Sequence, residues 1–185
     1  MNVNSKFYAW SIFICFLSCS NNDVKREIQL LMSEPIDLCD KQMAAYLKGK
    51  KTNCQIADRN NYTQVVFVDS TACSPCFWKQ MPLWQSIVDS VNNNNDDMSF
   101  AFVFHVKRRN KDSFIECMSQ DTLFHSPVYL DTTGVFLKNN PNIPQNKLLH
   151  TFLLDKSRQV VLVGNPVYNR RIRILLEGII SEKKK

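Results

Sequence analysis

The sequence predicts an α/β sandwich with a mixed central sheet flanked by helices, and three observations predict it. Two β-branched and aromatic runs, residues 64–68 and 100–106, are separated by a segment whose apolar residues recur at helical spacing. A brief run over 127–131 is followed by two more, 148–154 and 159–163, and Asp155-Lys156-Ser157-Arg158 between these last two is a hairpin signal. The chain then closes with an amphipathic helix. An order of βαβ followed by β-β-α requires a sheet of mixed strand direction.

The elements are taken in order. The first residues, MNVNSK, carry one positive charge and lead into residues 7–17, apolar except for Ser11, before the polar stretch 18–23. That is the layout of an export signal. A run of this length cannot cross a hydrocarbon core, which needs about 20 residues as helix, and no later segment is apolar enough to span. The junction Phe16-Leu17-Ser18-Cys19 resembles a bacterial lipobox, in which small residues precede a cysteine that is lipidated and becomes the first residue of the mature protein. The resemblance implies acylation of Cys19 and a protein held in the cell envelope, facing the periplasm or at the outer membrane. Ordinary cleavage near Ser18 is the other reading of this junction. Acyl chains would anchor the domain, because each buried methylene contributes about 0.8 kcal/mol. Residues 1–18 are thus expected to be a signal peptide, residues 19–35 a lipid-anchored tether with a short helical turn over 24–32 closed by Pro35, and residues 36–185 one domain. Removal of the signal leaves 167 of the 185 residues, enough for one proper core and too few for two.

Within the domain, residues 64–68 read as a buried central strand, and the helix after it carries Phe77, Trp84, Ile87, Val88 and Val91 as one apolar stripe. The polar run 92–97 reads as a loop. A strand over 98–106 places His105 near its end. A short helix over 112–120, a strand over 127–131 ended by Thr132-Thr133-Gly134, and a closing helix over 168–182 complete the pattern. The formal charge of +6 becomes +5 when Lys6 leaves with the signal, and it is concentrated at 107–111, 170–173 and 183–185. Such runs read as solvated faces or a weak attraction to anionic head groups. Nucleic acid is not expected as a partner, since the protein reads as exported and carries no motif for it. A monomer is expected.

The chemistry is concentrated in Cys73-Ser74-Pro75-Cys76, placed between the buried strand and a helix start. Unpaired amides and the positive end of the dipole at a helix N-terminus stabilise a thiolate, so Cys73 is expected to ionise early and attack first. Cys76, one turn inside, is expected to point back against the apolar side of the sheet, and its thiol would close a ring that releases a bound partner. Pro75 suits the first turn, where its missing N–H costs nothing. The expected partners are protein thiols and disulfides together with a redox partner that recharges the pair, and no cofactor is expected.

These residues resemble the thioredoxin superfamily, and within it the TlpA-like membrane-anchored thiol reductases of bacterial envelopes. The likeness lies in the strand before the motif, in Cys73-Ser74-Pro75-Cys76, in Lys79-Gln80-Met81-Pro82 with its helix-kinking proline, and in Thr151-Phe152-Leu153-Leu154-Asp155 followed by a second strand and a last helix. It covers about residues 64–180 and implies a thioredoxin-like sandwich that works as a thiol-disulfide oxidoreductase through Cys73 and Cys76. The sequence departs from the family in three places. Ala72 stands where an aromatic residue usually precedes the motif. Asp69, near the sheet end, is either a proton acceptor or a loop cap. Leu149 stands where the family places a cis-proline that faces the disulfide and presents backbone to the substrate; a cis bond before leucine costs about 3 to 4 kcal/mol, so a trans bond is expected. His150, in the same loop, either approaches Cys73 and favours its thiolate or is a surface or sheet-edge residue. His105 and His125 have no suggestive partners.

Cys15 leaves with the signal. Cys39 and Cys54 precede the central strand, and in an oxidising envelope they are candidates for a structural disulfide worth about 3 kcal/mol in the loop-entropy model. Cys117, beside Phe114, Ile115 and Met118, reads as a buried small hydrophobe. Two other classes of function compete with exchange. A metal-binding thiol module is disfavoured because zinc takes four ligands and Cys39 and Cys54 are not spaced as a second C-x-x-C, so no metal is assigned. A redox-inert lipoprotein that keeps the fold as a binding module is allowed by Leu149. A thiol peroxidase would need a proline and a threonine framing one cysteine; Thr71 is one position off and no matching proline precedes it.

Overall fold

The run Val65-Val66-Phe67-Val68 can be buried only if its strand is covered on both faces and paired on both edges, and the chain supplies all four. The computed structural model describes residues 19–38, 40–53, 56, 60–72, 74–94 and 97–182. Residues 1–18, read from the sequence as an export signal, Cys39 and Cys54 with the structural disulfide expected between them, Cys73 and the terminal lysines 183–185 lie outside the described residues. The elements are α1 (Cys19–Leu31), β1 (Ala44–Leu47), β2 (Lys50–Thr52), β3 (Tyr62–Val68), α2 (Ser74–Trp78), α3 (Met81–Asn93), β4 (Met98–His105), α4 (Lys111–Gln120), β5 (Val128–Asp131), α5 (Val135–Asn139), β6 (Thr151–Asp155), β7 (Val160–Val163) and α6 (Arg170–Glu182). Among the described residues no helix is long and apolar enough to cross a membrane.

All seven residues of β3 are buried. The sheet runs β2-β1-β5-β4-β3-β6-β7. β3, β4 and β5 are parallel, while β6 pairs antiparallel with β3, β7 with β6, β1 with β5 and β2 with β1. Because side chains alternate across a strand, Val66 and Val68 face one layer and Val65 and Phe67 the other. The first layer holds Trp78, Met81, Trp84 and Val88 from α2 and α3 with Phe114 and Met118 from α4. The second holds Leu31, Ile36, Phe136 and Leu149. Leu176 and Ile180 of α6 pack with Tyr62 and Met98 at the far end of the strands. The buried Gln64 is satisfied by donating to the carbonyl of Phe152 at 3.0 Å. This is the thioredoxin-like sandwich with a mixed, helix-flanked sheet that the sequence predicts.

Three local expectations are corrected, and one hairpin is added. The helix after the motif is two helices, broken at Lys79-Gln80, because Pro82 in the first turn of α3 cannot continue a helix begun at Ser74. The strand expected over 148–154 starts at Thr151; residues 147–149 form a 3-10 turn instead. The polar run after residue 91 is helical as far as Asn93. The hairpin of β1 and β2 carries no strong strand signal, yet its turn is legible: Lys48 and Gly49 have φ of 50° and 72°, the two left-handed residues of a tight hairpin turn. A Cβ at Gly49 would stand 2.6 Å from the Cβ of Ser119 and 2.9 Å from the carbonyl of Ile115, so the position also demands glycine for space.

The segment read as a tether is helical over its first 13 residues, longer than the expected turn. Leu31 at its end is fully buried in the core. Three asparagines then bind it to the segment before β6. Asn140 exchanges two bonds with the backbone of Asp37 at 2.8 Å each, Asn142 donates to the carbonyls of Leu31 and Glu34, and Asn146 donates to the Glu27 carboxylate at 2.8 Å. If α1 belongs to the folded unit, Leu31→Ala destabilises the whole domain by about 2–5 kcal/mol, the cost of emptying a buried leucine site. Urea unfolding followed by circular dichroism checks this; an unchanged midpoint would make α1 an appendage.

Candidate functional site at the carboxyl end of the parallel strands

Ligand and reaction sites in α/β sheets gather beyond the carboxyl ends of parallel strands, and here four loops meet at that end. The loop after β3 carries Asp69 to Ala72 and leads to the motif. The loop after β4 begins beyond His105, that after β5 contains Gly134, and the antiparallel entry to β6 brings Leu149 and His150 to the same edge. Phe67 donates its N–H to the carbonyl of His150 at 2.9 Å, fixing that last loop against β3.

Cys73 falls outside the described residues, immediately before α2. Within α2 the buried residues are Ser74 and Trp78, four apart on one face. Pro75 and Cys76 are exposed as a result. The expectation that Cys76 points back against the sheet is therefore corrected: Trp78 occupies the inward position, packed against Phe104, Phe114 and Phe124 with centroids 5.4–5.9 Å away. The indole N–H of Trp78 has no hydrogen-bond partner among the described residues, a cost the aromatic packing offsets. Cys76 is held in a disulfide. Cys117 is a free, half-buried thiol packed on the α2–α4 layer. Burial, reinforced by the charge of Asp121 and opposed by Lys79, pushes its pKa up, which disfavours its thiolate.

Asp69 ends β3 as a loop cap. Its carboxylate accepts from the Thr71 hydroxyl at 2.6 Å, and its carbonyl accepts the Ala72 N–H at 2.9 Å. Burial works to raise its pKa, but the bonds from Thr71 and Ser70 together with the His105 charge outweigh burial and hold it below its ordinary value. Asp69 is therefore a fixed negative charge beside the motif. Its nearest ring is His105, whose Nδ1 lies 3.6 Å from Oδ1, within ion-pair range and beyond a hydrogen bond. The sequence reading found no partner for His105. The signal lies in the register: Val68 of β3 pairs with Phe104 of β4, so the next residue of each strand, Asp69 and His105, must be neighbours. The ring also packs near Gly134, where a Cβ would stand 3.4 Å from Cε1.

Leu149 is buried in the second core layer, and the described backbone contains no cis peptide bond. The turn around it consumes its own donors. The N–H of Leu148 binds the Asn146 side chain at 3.2 Å, that of Leu149 the Asn146 carbonyl at 3.0 Å, and that of His150 the Lys147 carbonyl at 3.3 Å. His150 is neither on the surface nor at a sheet edge; its ring is buried against Phe67 at 5.0 Å, and its Nε2 lies 2.9 Å from the Pro144 carbonyl. Two clefts flank the motif loop. One, of about 440 Å³, is lined by Asp69, Thr71, Pro144, Lys147 and His150. The other, of about 320 Å³, joins Ala72, Ser74 and Pro75 to His105, Lys107 and Asn110. A third, of about 390 Å³, lies between α3 and α6 and includes no residue of the motif loop.

Burial is the main cause that lowers the pKa of His150; the Pro144 carbonyl and Asp69 oppose it, and Lys147 adds to it. The folded state thus resists protonation that the unfolded state accepts. The stability this represents is complete above the ordinary histidine value of about 6.5 and is lost as pH falls below it toward the folded value. Wild type should lose stability between about pH 7.5 and pH 5 by a component that His150→Gln, which keeps a donor for Pro144, lacks. Denaturant titrations of both proteins at the two pH values measure it; parallel losses would show that His150 is not the buried titrating group.

Neither a family model nor a curated protein matches the chain. Solved structures similar to it include the thioredoxin domain of a thiol-disulfide oxidoreductase from Bacteroides vulgatus, 16% identical with a TM-score of 0.44 over 66% of this chain and 81% of that one. A domain of a possible thiol-disulfide isomerase from Cytophaga hutchinsonii is 15% identical, with a TM-score of 0.45 over 77% and 91%. An uncharacterized thioredoxin-like protein from Porphyromonas gingivalis is 15% identical, with a TM-score of 0.46 over 76% and 89%. The strand order, the parallel β3-β4-β5 core and the antiparallel β6-β7 pair make this chain a thioredoxin-like α/β sandwich.

Proposed function

We propose that the protein is a thiol-disulfide oxidoreductase that exchanges disulfides with proteins of the bacterial cell envelope through Cys73 and Cys76. The observation that carries this reading is the disulfide at Cys76, exposed in the first turn of a helix at the carboxyl end of the parallel strands. The proposal pairs it with Cys73, the cysteine immediately before Ser74-Pro75. In the reducing direction the Cys73 thiolate attacks one sulfur of a partner disulfide, forming a mixed disulfide and expelling the partner's other sulfur as a thiolate. Cys76, deprotonated, then attacks the sulfur of Cys73, closing the intramolecular disulfide and releasing the second partner thiolate. Two electrons pass from the pair to the partner, and a separate dithiol donor restores them. Run backward, the same steps oxidise a partner. Export by residues 1–18 and acylation at Cys19 belong to the same proposal, and α1, about 20 Å long at 1.5 Å per residue, would then stand between the anchor and the core.

The exposure of Cys76 removes shielding as the reason for it to attack second, so the order is assigned by ionisation: Cys73 precedes the amides that open α2 in sequence, while Cys76 lies within the helix. Cys76→Ser should accumulate mixed disulfides with client proteins several-fold more than Cys73→Ser, read on non-reducing gels and by mass spectrometry of the trapped species. Equal trapping by both variants would reject the order of attack, and trapping by neither would favour a fold retained for binding alone.

A further inference from the structure

On the flank of the motif loop formed by the turn before β6, the backbone donors are committed. The N–H groups of residues 148–150 are all spent within their own turn, and Leu149 is turned into the core. The opposite flank is open. There the cleft of about 320 Å³ has Ala72, Ser74 and Pro75 as one wall and Lys107, Asn110 and Ser113 as the other, with Val106 and Phe114 at its base. The turn after β4 reads Lys107-Arg108-Arg109-Asn110-Lys111-Asp112, four cations against one anion. Lys107 through Asn110 are exposed and Lys111 is half-buried. Among the described residues no carboxylate forms an ion pair with any of these cations. Asp69, at the edge of the site, is already committed to Thr71 and His105.

We propose that Lys107, Arg108, Arg109 and Lys111 form a docking rim for a protein partner that carries an acidic segment beside its reactive cysteine. This inference deepens the exchange function and rests on it. Lys107 lines the cleft and the other three cations follow it in the same turn; cations left unpaired beside a cleft raise the local concentration of an anionic segment and the rate at which it arrives. The apolar base takes a side chain from the same segment, and the shared wall with Ser74 and Pro75 holds that segment beside the disulfide. A membrane surface would meet the same charges but would leave the cleft unfilled.

The test uses two peptides of one sequence, identical except that Asp and Glu flank the cysteine in one and Asn and Gln in the other. In a first arm the peptide cysteine is replaced by serine, so that binding is read without chemistry by fluorescence anisotropy at about 20 mM and about 300 mM salt, where screening differs strongly. The acidic peptide should bind about tenfold more tightly at low salt. That preference should shrink toward unity at high salt and in both the charge-reversed Lys107→Glu, Arg108→Glu, Arg109→Glu triple variant and the neutral triple Gln variant. Equal binding of the two peptides, or a preference that both triple variants keep, overturns the docking rim. Retention on anionic but not neutral phosphatidylcholine vesicles, with no preference between peptides, overturns it in favour of a membrane surface. In a second arm the cysteine forms of the two peptides carry mixed disulfides with a small thiol, and the reduced wild-type protein is assayed for exchange. Binding preference without exchange would reject the oxidoreductase function and keep the rim as a binding surface; exchange without preference would do the reverse.

Discussion

A strand with no exposed residue must be paired on both edges and covered on both faces, because each of its amides and carbonyls needs a partner and each side chain needs a dry neighbour. β3 is that strand. Its parallel pairing with β4 requires a crossover, and the crossover brings α2 and α3 over Val66 and Val68. Its antiparallel pairing with β6 anchors the loop that contains Leu149 and His150. The second face has no long helix from the crossovers to cover it, so Leu31 and Ile36 from the N-terminal segment and Phe136 from α5 do so. The fully buried side chains at the ends of these elements then fix where the loops can emerge.

The motif loop inherits its position from this arrangement. With Val68 held opposite Phe104, the chain leaves β3 at Asp69 and β4 at His105 side by side. Asp69 turns the loop by capping it, and its charge lies between His105 on one side and the cleft of His150 on the other. Trp78 anchors the inner face of α2 and leaves Pro75 and Cys76 outside. The exposure of Cys76 is thus a consequence of helical phase: Ser74 and Trp78 lie on the inward side, and Cys76 falls between them on the other. Asparagine bonds from residues 140, 142 and 146 connect the N-terminal segment to the loop before β6, so the two parts of the second layer support one another.

The parts legible in the sequence are those with a strong period or a chemical signature. β3, β4, α4 and α6 follow from apolar periodicity, and the motif follows from its place between a strand and a helix. The break at Lys79-Gln80 was signalled by Pro82, although a kink and a full interruption look alike in sequence. The 3-10 turn at residues 147–149 hid within an apolar run, because Leu148 and Leu149 read as strand while Asn146 supplies the side-chain acceptor that turns them. The Asp69–His105 pair depends on strand register, which no local pattern states. Burial of His150 likewise depends on Phe67 and Pro144, distant or conformationally specified neighbours. The β1–β2 hairpin was missed because its strands are three and four residues long and rich in lysine and alanine, with only Lys48-Gly49 to mark the turn.

The proposed exchange function requires that Cys73, ahead of the start of α2 in sequence, be the reactive thiolate although Cys76 is exposed. The measurement that tests it most directly is the alkylation rate of each cysteine in the fully reduced protein as a function of pH, with the site of modification assigned by peptide mass spectrometry. Cys73 should titrate below the reference thiol value of about 8.5, and Cys76 above Cys73. A Cys73 that titrates at or above that reference, or a Cys76 that ionises first, would contradict the account.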